Sequence, residues 1–205
     1  MPIDMLALDG AYLVRPQVFP DDRGLFLEVF NQPDFQEVIG HELTVAQVNC
    51  SSSRRGTIRG LHGVSLPPGQ ARYATCVRGS IVDIVVDVRL GSPTFGEHVP
   101  VVLDDQERHA LYLAEGLVHG FAPLSDEATV VYLCSSTFSP AASFQIHPLD
   151  PELSLPWPRD PAPILSEKDK MAPTLRTAMD RGILPTYAEC LAHIEKLRQT
   201  GGLPR

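Results

Sequence analysis

The sequence has no basic excess, no membrane-length apolar run, no paired cysteines and no clustered histidines. Lysine and arginine total 17 against 25 aspartates and glutamates, a net charge of -8. That excludes the positive footprint of a nucleic-acid groove, yet leaves room for a small anion held by a local group of arginines. No apolar stretch approaches the roughly 20 residues of a membrane helix. The opening Met-Pro-Ile-Asp-Met-Leu has neither the basic start nor the apolar centre of a signal peptide. The expectation is a cytoplasmic chain with no membrane and no nucleic-acid partner. Cys50, Cys76, Cys134 and Cys190 form no Cys-x-x-Cys pair, so free, mostly buried thiols are expected rather than a zinc site or disulfide framework. The seven histidines are scattered singly, His62 is followed by Gly63-Val64, and no glutamate occurs between Glu42 and Glu97. A divalent ion needs three or four converging ligands, so no metal is expected.

What is present is strand. At 205 residues, 43% apolar and 20% charged, the chain suits one domain with a real core. In Ser80 to Arg89, Val82, Ile84, Val86 and Val88 make one apolar face and alternate with Asp83, Asp87 and Arg89, a period of two. Further short strands are expected at Ala11–Arg15, Leu25–Phe30, Thr44–Ser52, Thr57–Leu61, Gln70–Arg78, Val99–Leu103, His109–Leu113, Leu117–Pro123 and Thr129–Thr137. Pro20-Asp21-Asp22-Arg23-Gly24 has the composition of a turn. Pro33 to Ile39 reads as a short helix ended by Gly40. Many short strands at regular spacing predict an all-β sandwich or barrel. From Pro148 to Pro173 there are seven prolines in 26 residues, which predicts irregular chain wrapping the surface. Tyr187, Cys190, Leu191, Ile194 and Leu197 have helical spacing, predicting a C-terminal helix over about 186–199, and Gly201 to Arg205 should fray.

The chemistry centres on Gly56-Thr57-Ile58-Arg59-Gly60-Leu61-His62. Arginine grips phosphate and histidine moves protons near neutral pH, so Arg59 and His62 together suggest a site that holds a phosphorylated molecule and takes a proton from it. A lone pair of this kind is more often structural. The remaining acid–base candidates are His119, Tyr132 and Asp169. Gln47 and Asn49 share one strand face and either bind a polar ligand or face water. Glu28 shares its pleat face with Phe26 and Phe30. Tyr132 alone reads as a core aromatic in a strand.

The combination resembles a known family. Gln47-x-Asn49, Arg59-Gly60-Leu61-His62, Val77-Arg78-Gly79, Val86-Asp87-Val88-Arg89, Gly91-Ser92-Pro93-Thr94-Phe95-Gly96, His119-Gly120-Phe121 and Leu165-Ser166-x-Lys168-Asp169 occur in the order found in dTDP-4-dehydrorhamnose 3,5-epimerases. The resemblance runs from about residue 9 to about residue 188. It implies one all-β domain over 1–205, a cupin-type jelly-roll barrel. Its core would span about 9–147, with the proline-rich wrap over 148–173, short peripheral helices and the C-terminal helix. It implies a homodimer that binds a dTDP-4-keto-6-deoxyhexose without any cofactor.

By the same resemblance His62 is the general base, Asp169 the carboxylate that orients it, and Tyr132 the proton donor on the other face of the sugar. Arg59 and His119 would contact the diphosphate and sugar. Arg23, Phe26, Glu28, Gln47, Asn49 and Lys168 would serve the nucleotide, some across the dimer. The family's usual lysine is Arg72 here, which keeps a cation for the enolate. Phe138 replaces a thymine-stacking tyrosine, keeping the ring without the hydroxyl, and Ser143 stands where a glutamate often occurs. The implied reaction inverts C3 and/or C5 beside the C4 ketone. A single-position epimerase or a ketoisomerase uses the same enolate, and a non-catalytic sugar-nucleotide binder is the reading from another class.

Overall fold

The computed structural model describes residues 1–200; the expected fraying of Gly201 to Arg205 lies outside the described residues. Strands β1 (Ile3–Met5) and β2 (Ala11–Val14) come first. A hairpin of β3 (Val18–Asp21) and β4 (Gly24–Leu27) and helix α1 (Gln32–Ile39) follow. Then come β5 (Gln47–Arg54), β6 (Arg59–Val64), β7 (Arg72–Arg78), β8 (Ser80–Asp87), β9 (His98–Asp104), β10 (Ala110–Leu113), β11 (Leu117–Pro123), β12 (Glu127–Cys134) and β13 (Ser143–Gln145). Helices α2 (Glu167–Lys170), α3 (Leu175–Asp180) and α4 (Tyr187–Thr200) close the chain.

The strands form a six-stranded sheet, β1-β2-β10-β7-β12-β5, and a five-stranded sheet, β13-β6-β11-β8-β9, with β3-β4 a separate two-stranded ribbon. All pairings between these strands are antiparallel. The expected closure into a barrel does not occur, because no ladder joins the two large sheets.

Three apolar layers hold this arrangement, and β8 explains two of them. Ile81 and Val85 point between the sheets, where they meet Ala74, Leu103, Leu111, Leu113 and Val130. Val82, Ile84 and Val86 point the other way and pack on Leu61, Val118, Phe144, Trp157 and Leu175. The proline-rich segment therefore covers the outer face of the five-stranded sheet, as its composition predicts, and Trp157 donates from Nε1 to the Pro148 carbonyl at 2.8 Å. The third layer joins Tyr73, Tyr112, Phe35, Ile39 and Ile194 on the outer face of the other sheet, under α1 and α4.

The helix ends follow from local chemistry. Asn31 caps α1 by accepting from the Asp34 amide at 3.2 Å, and Gly40 ends it at φ 89°, a left-handed conformation that costs glycine little. At α4, Thr186 accepts from the Glu189 amide while Glu189 accepts from the Thr186 amide, a reciprocal capping box.

Two family blocks turn out to be structural. Asp87 accepts from Arg89, Ser92 and Thr94, all within 3.0 Å, and the Asp87 and Arg89 side chains are fully buried. Arg89 also donates to the Asp9 carbonyl and lies 4.9 Å from the Tyr187 ring centre, so it ties β8 to α4. Burial of Arg89 disfavours its charged form, but Asp87 more than compensates and holds the guanidinium above its ordinary value.

One expected strand is wrong in part. Leu25–Phe30 is strand only to Leu27, so Glu28 has no pleat partnership with Phe26 and Phe30. The chain turns inward instead, and Phe30 packs its ring 5.5 Å from Phe35 and 5.2 Å from Tyr73. Strands β1, β3 and β13 and helices α2 and α3 have no counterpart in the sequence reading, α2 lying within the stretch expected to be irregular.

Candidate active site

A cavity of about 610 Å³ opens between the sheets. The five-stranded sheet supplies Arg59 and His62 from β6 and His119 from β11. The six-stranded sheet supplies Gln47 and Asn49 from β5, Arg72 from β7 and Tyr132 from β12. Phe138 comes from the loop after β12, and Lys168 and Asp169 from α2; all of these residues line the cavity. Arg23, Phe26 and Glu28 do not line it. They sit on or just after the β3-β4 ribbon, where Arg23 turns back onto Asp21 and its side chain is 90% exposed.

His62 and His119 stand opposite each other in the β6-β11 register. The strands meet so closely here that a Cβ on Gly60 would come within 2.4 Å of the Gly120 Cα. Only glycine fits such an approach, and the register shifts between His119 and Phe121. As directly opposed residues the two imidazoles share one face, and both line the cavity.

Each imidazole is paired with a carboxylate. His62 Nε2 lies 2.8 Å from Asp169 Oδ1. Asp169 is 3% exposed, and its Oδ2 accepts from Ser166 Oγ at 2.7 Å. Burial pushes the Asp169 carboxyl up, but the hydrogen bonds from His62 and Ser166 outweigh it and hold the group below its ordinary value. An ionised carboxylate only accepts, so in the neutral imidazole Nε2 carries the proton and Nδ1 the lone pair. Ser166 also caps α2 by accepting from the Asp169 amide at 3.1 Å, so the Ser-x-x-Asp spacing of Leu165–Asp169 places the carboxylate. His119 Nδ1 lies 2.9 Å and 3.0 Å from the oxygens of Asp83, which is fully buried. Asp83 and Ser166 are site residues absent from the sequence-predicted set. A single carboxylate in the otherwise apolar run Ile81 to Val86 was the available signal for Asp83.

Tyr132 faces these dyads from the opposite sheet. Burial raises its phenol above the ordinary value, although Arg72 opposes this, so the hydroxyl keeps its proton at neutral pH and can donate it. Arg72 is 8% exposed; burial lowers its pKa, but an arginine keeps its charge. Arg59 donates from Nε to Ser53 Oγ at 2.8 Å. Gln47 accepts from the Phe138 amide at 2.8 Å and donates to Asn49 at 2.7 Å, and the Lys168 ammonium lies 6.0 Å from the centre of the Phe138 ring. The two amides that could have faced water therefore face the cavity and brace an aromatic wall. Among the described residues, no group of three or more His, Cys, Asp or Glu side chains converges as a metal site.

A carboxylate-backed imidazole and a protonated phenol on opposite walls, with a buried cation between them, suit proton transfer to and from carbon. The fold and the site thus fit an isomerase that moves protons at carbon. The chain belongs to the dTDP-4-dehydrorhamnose 3,5-epimerase family, whose pattern it matches over residues 5–177. It is 46% identical over 194 residues to the dTDP-4-dehydrorhamnose 3,5-epimerase of Mycolicibacterium smegmatis, covering 95% of this chain and 96% of that protein. The crystal structure of NovW, a 4-keto-6-deoxy sugar epimerase from the novobiocin gene cluster of Streptomyces spheroides, is 49% identical and superposes with a TM-score of 0.91 over 93% of this chain and 95% of that one. The structure of ChmJ, a 3'-monoepimerase from Streptomyces bikiniensis in complex with dTDP-quinovose, is 45% identical with a TM-score of 0.93 over 96% and 99%.

Proposed function

We propose that this enzyme epimerises a dTDP-4-keto-6-deoxyhexose beside its C4 ketone. The observation that carries this reading is the His62–Asp169 dyad facing a protonated Tyr132 across one cavity. The ketone acidifies the neighbouring carbon–hydrogen bond. His62 Nδ1 takes the proton, and the electron pair moves into an enolate whose oxygen is met by Arg72 and His119. Tyr132 returns a proton from the opposite face and is reprotonated by solvent, which inverts the carbon. Asp169 stabilises the imidazolium while it exists. Arg59 takes the diphosphate, and the thymine stacks on Phe138 beside Lys168, with Gln47 and Asn49 at its edge.

C3 is inverted by both kinds of relative, the 3,5-epimerase and the 3'-monoepimerase, so C3 is the carbon we assign to His62 first. The ChmJ likeness favours a second reading, in which C5 is left alone. We further assign the two facing sheets to a single jelly-roll domain of the cupin type, working in the cytoplasm, in keeping with its four free cysteines. We also propose a homodimer. The β3-β4 ribbon pairs with neither large sheet and exposes Phe19, Leu25 and Phe26. Those side chains, with Arg23 and Glu28, suit the cavity mouth of a second copy.

The test is to incubate the enzyme with dTDP-4-keto-6-deoxyglucose, reduce the ketone with borohydride and read the configuration of the resulting 6-deoxyhexose by NMR. Inversion at C3 supports the reading. Retention at both C3 and C5 overturns it.

A further inference from the structure

Three hydrogen bonds in line run from the end of β12 to the base, and the last of them crosses from one sheet to the other. Gln70 precedes β7. Its Nε2 donates to the Ser136 carbonyl at 2.7 Å, just beyond the end of β12. Its Oε1 accepts from Arg72 Nε at 3.0 Å. Arg72 Nη1 in turn donates to the His62 carbonyl at 2.8 Å. β12 carries Tyr132 and belongs to the six-stranded sheet, whereas β6 carries His62 and belongs to the other. β7 is already laddered to β12 and the two large sheets share no ladder, so Arg72 ties the strand of the acid to the strand of the base and Gln70 braces its guanidinium.

The tie is stiff. A guanidinium is planar and permanently charged, and this one is 8% exposed with two of its nitrogens engaged. A lysine ammonium at the same place could not hold both contacts in one plane. Gln70 cannot relax independently, because both ends of its amide are bonded.

We infer that Gln70 is a positioning residue that sets, through Arg72, the separation of His62 and Tyr132, and thereby decides whether a proton removed from one face of the sugar is replaced on the other. This rests on the epimerase reading. Breaking the carbon–hydrogen bond needs His62 as base but not Tyr132; the bond's electron pair enters the enolate and the proton goes to Nδ1. Inversion also needs the Tyr132 hydroxyl within reach of the same carbon, where its O–H bond breaks as the new C–H bond forms. If Tyr132 stands too far off, the imidazolium gives a proton back on the original face after exchanging with solvent. The carbon is then labelled but not inverted.

The experiment compares the wild-type enzyme with Gln70→Leu and Gln70→Glu in heavy water, using dTDP-4-keto-6-deoxyglucose and NMR. Deuterium incorporation and configuration are read in the same spectra. Gln70→Leu removes both bonds. Gln70→Glu keeps an acceptor for Arg72 and loses the donor to Ser136, and it carries the test if Gln70→Leu does not fold. A dTDP-induced rise in melting temperature shows that the cavity is intact. The expected result is that the ratio of inversion to exchange falls by about tenfold or more in both variants. An unchanged ratio in either folded variant, or an equal loss of exchange and inversion, overturns the role assigned to Gln70. A wild-type enzyme that neither exchanges nor inverts overturns the epimerase reading itself and Gln70's role with it.

Discussion

Replacing Asp169 by asparagine preserves the shape of the base and removes its charge. Asp169 receives His62 on Oδ1 at 2.8 Å and Ser166 on Oδ2 at 2.7 Å. An asparagine can turn its oxygen to His62 and its NH₂ to the Ser166 oxygen, so the ring stays in place. What disappears is the attraction for the imidazolium formed when the proton is taken. Unit charges about 4 Å apart attract by about 4 kcal/mol at an effective dielectric of about 20. The His62 side chain is 40% exposed, so solvent screens roughly half of this. About 2 kcal/mol remains, which is about a 30-fold loss in kcat. The assay is the rate of deuterium entry beside the ketone at saturating substrate, with dTDP affinity measured separately by calorimetry. Affinity is expected to stay within about twofold. A kcat within about threefold of wild type would refute the dyad, and a loss carried wholly by affinity would make Asp169 a ligand contact rather than a partner of the base.

Other outcomes follow from the same geometry. Tyr132→Phe should cut inverted product by about 10²-fold or more while deuterium still enters at the His62 face; equal loss of both would remove Tyr132 from the donor role. Phe138→Ala should weaken dTDP binding by about 1–3 kcal/mol, the scale of one base stacked on an aromatic ring, and unchanged titration curves would place thymine elsewhere. Asp87→Ala leaves the Arg89 charge buried without its partner, so denaturant melts should show a loss of about 3–5 kcal/mol; a change under about 1 kcal/mol would mean water reaches the guanidinium. Acidity should act through Asp169. Its folded-state pKa is depressed, so its contribution to stability is complete above the ordinary carboxylate range and is lost as pH falls through the lowered value. The gap in melting temperature between wild type and Asp169→Asn should therefore shrink on acidification, and a gap that widens would reverse the sign.

Much of this was legible in the residues. The period of two in β8 announced a strand, and the prolines after His147 announced a wrap. His62, Asp169 and Tyr132, far apart in the chain, line one cavity. What escaped was set by contacts over long sequence distance. Asp83 alternates with apolar residues as a solvent-facing strand residue would, yet it is fully buried with its carboxylate hydrogen-bonded to His119 on the neighbouring strand. Glu28 was misplaced because the pull of Phe30 into the layer of Phe35 and Tyr73 ends β4 early. The cavity is lined from both sheets by residues far apart in the chain, and no local pattern encodes a cavity.

The most direct measurement is deuterium uptake by dTDP-4-keto-6-deoxyglucose in heavy water with the wild-type enzyme, followed by NMR at C3 and C5. The account predicts label at C3 with inverted configuration there, at a rate that His62→Ala abolishes while dTDP still binds. An enzyme that binds dTDP but labels neither carbon would contradict proton transfer at carbon as its chemistry.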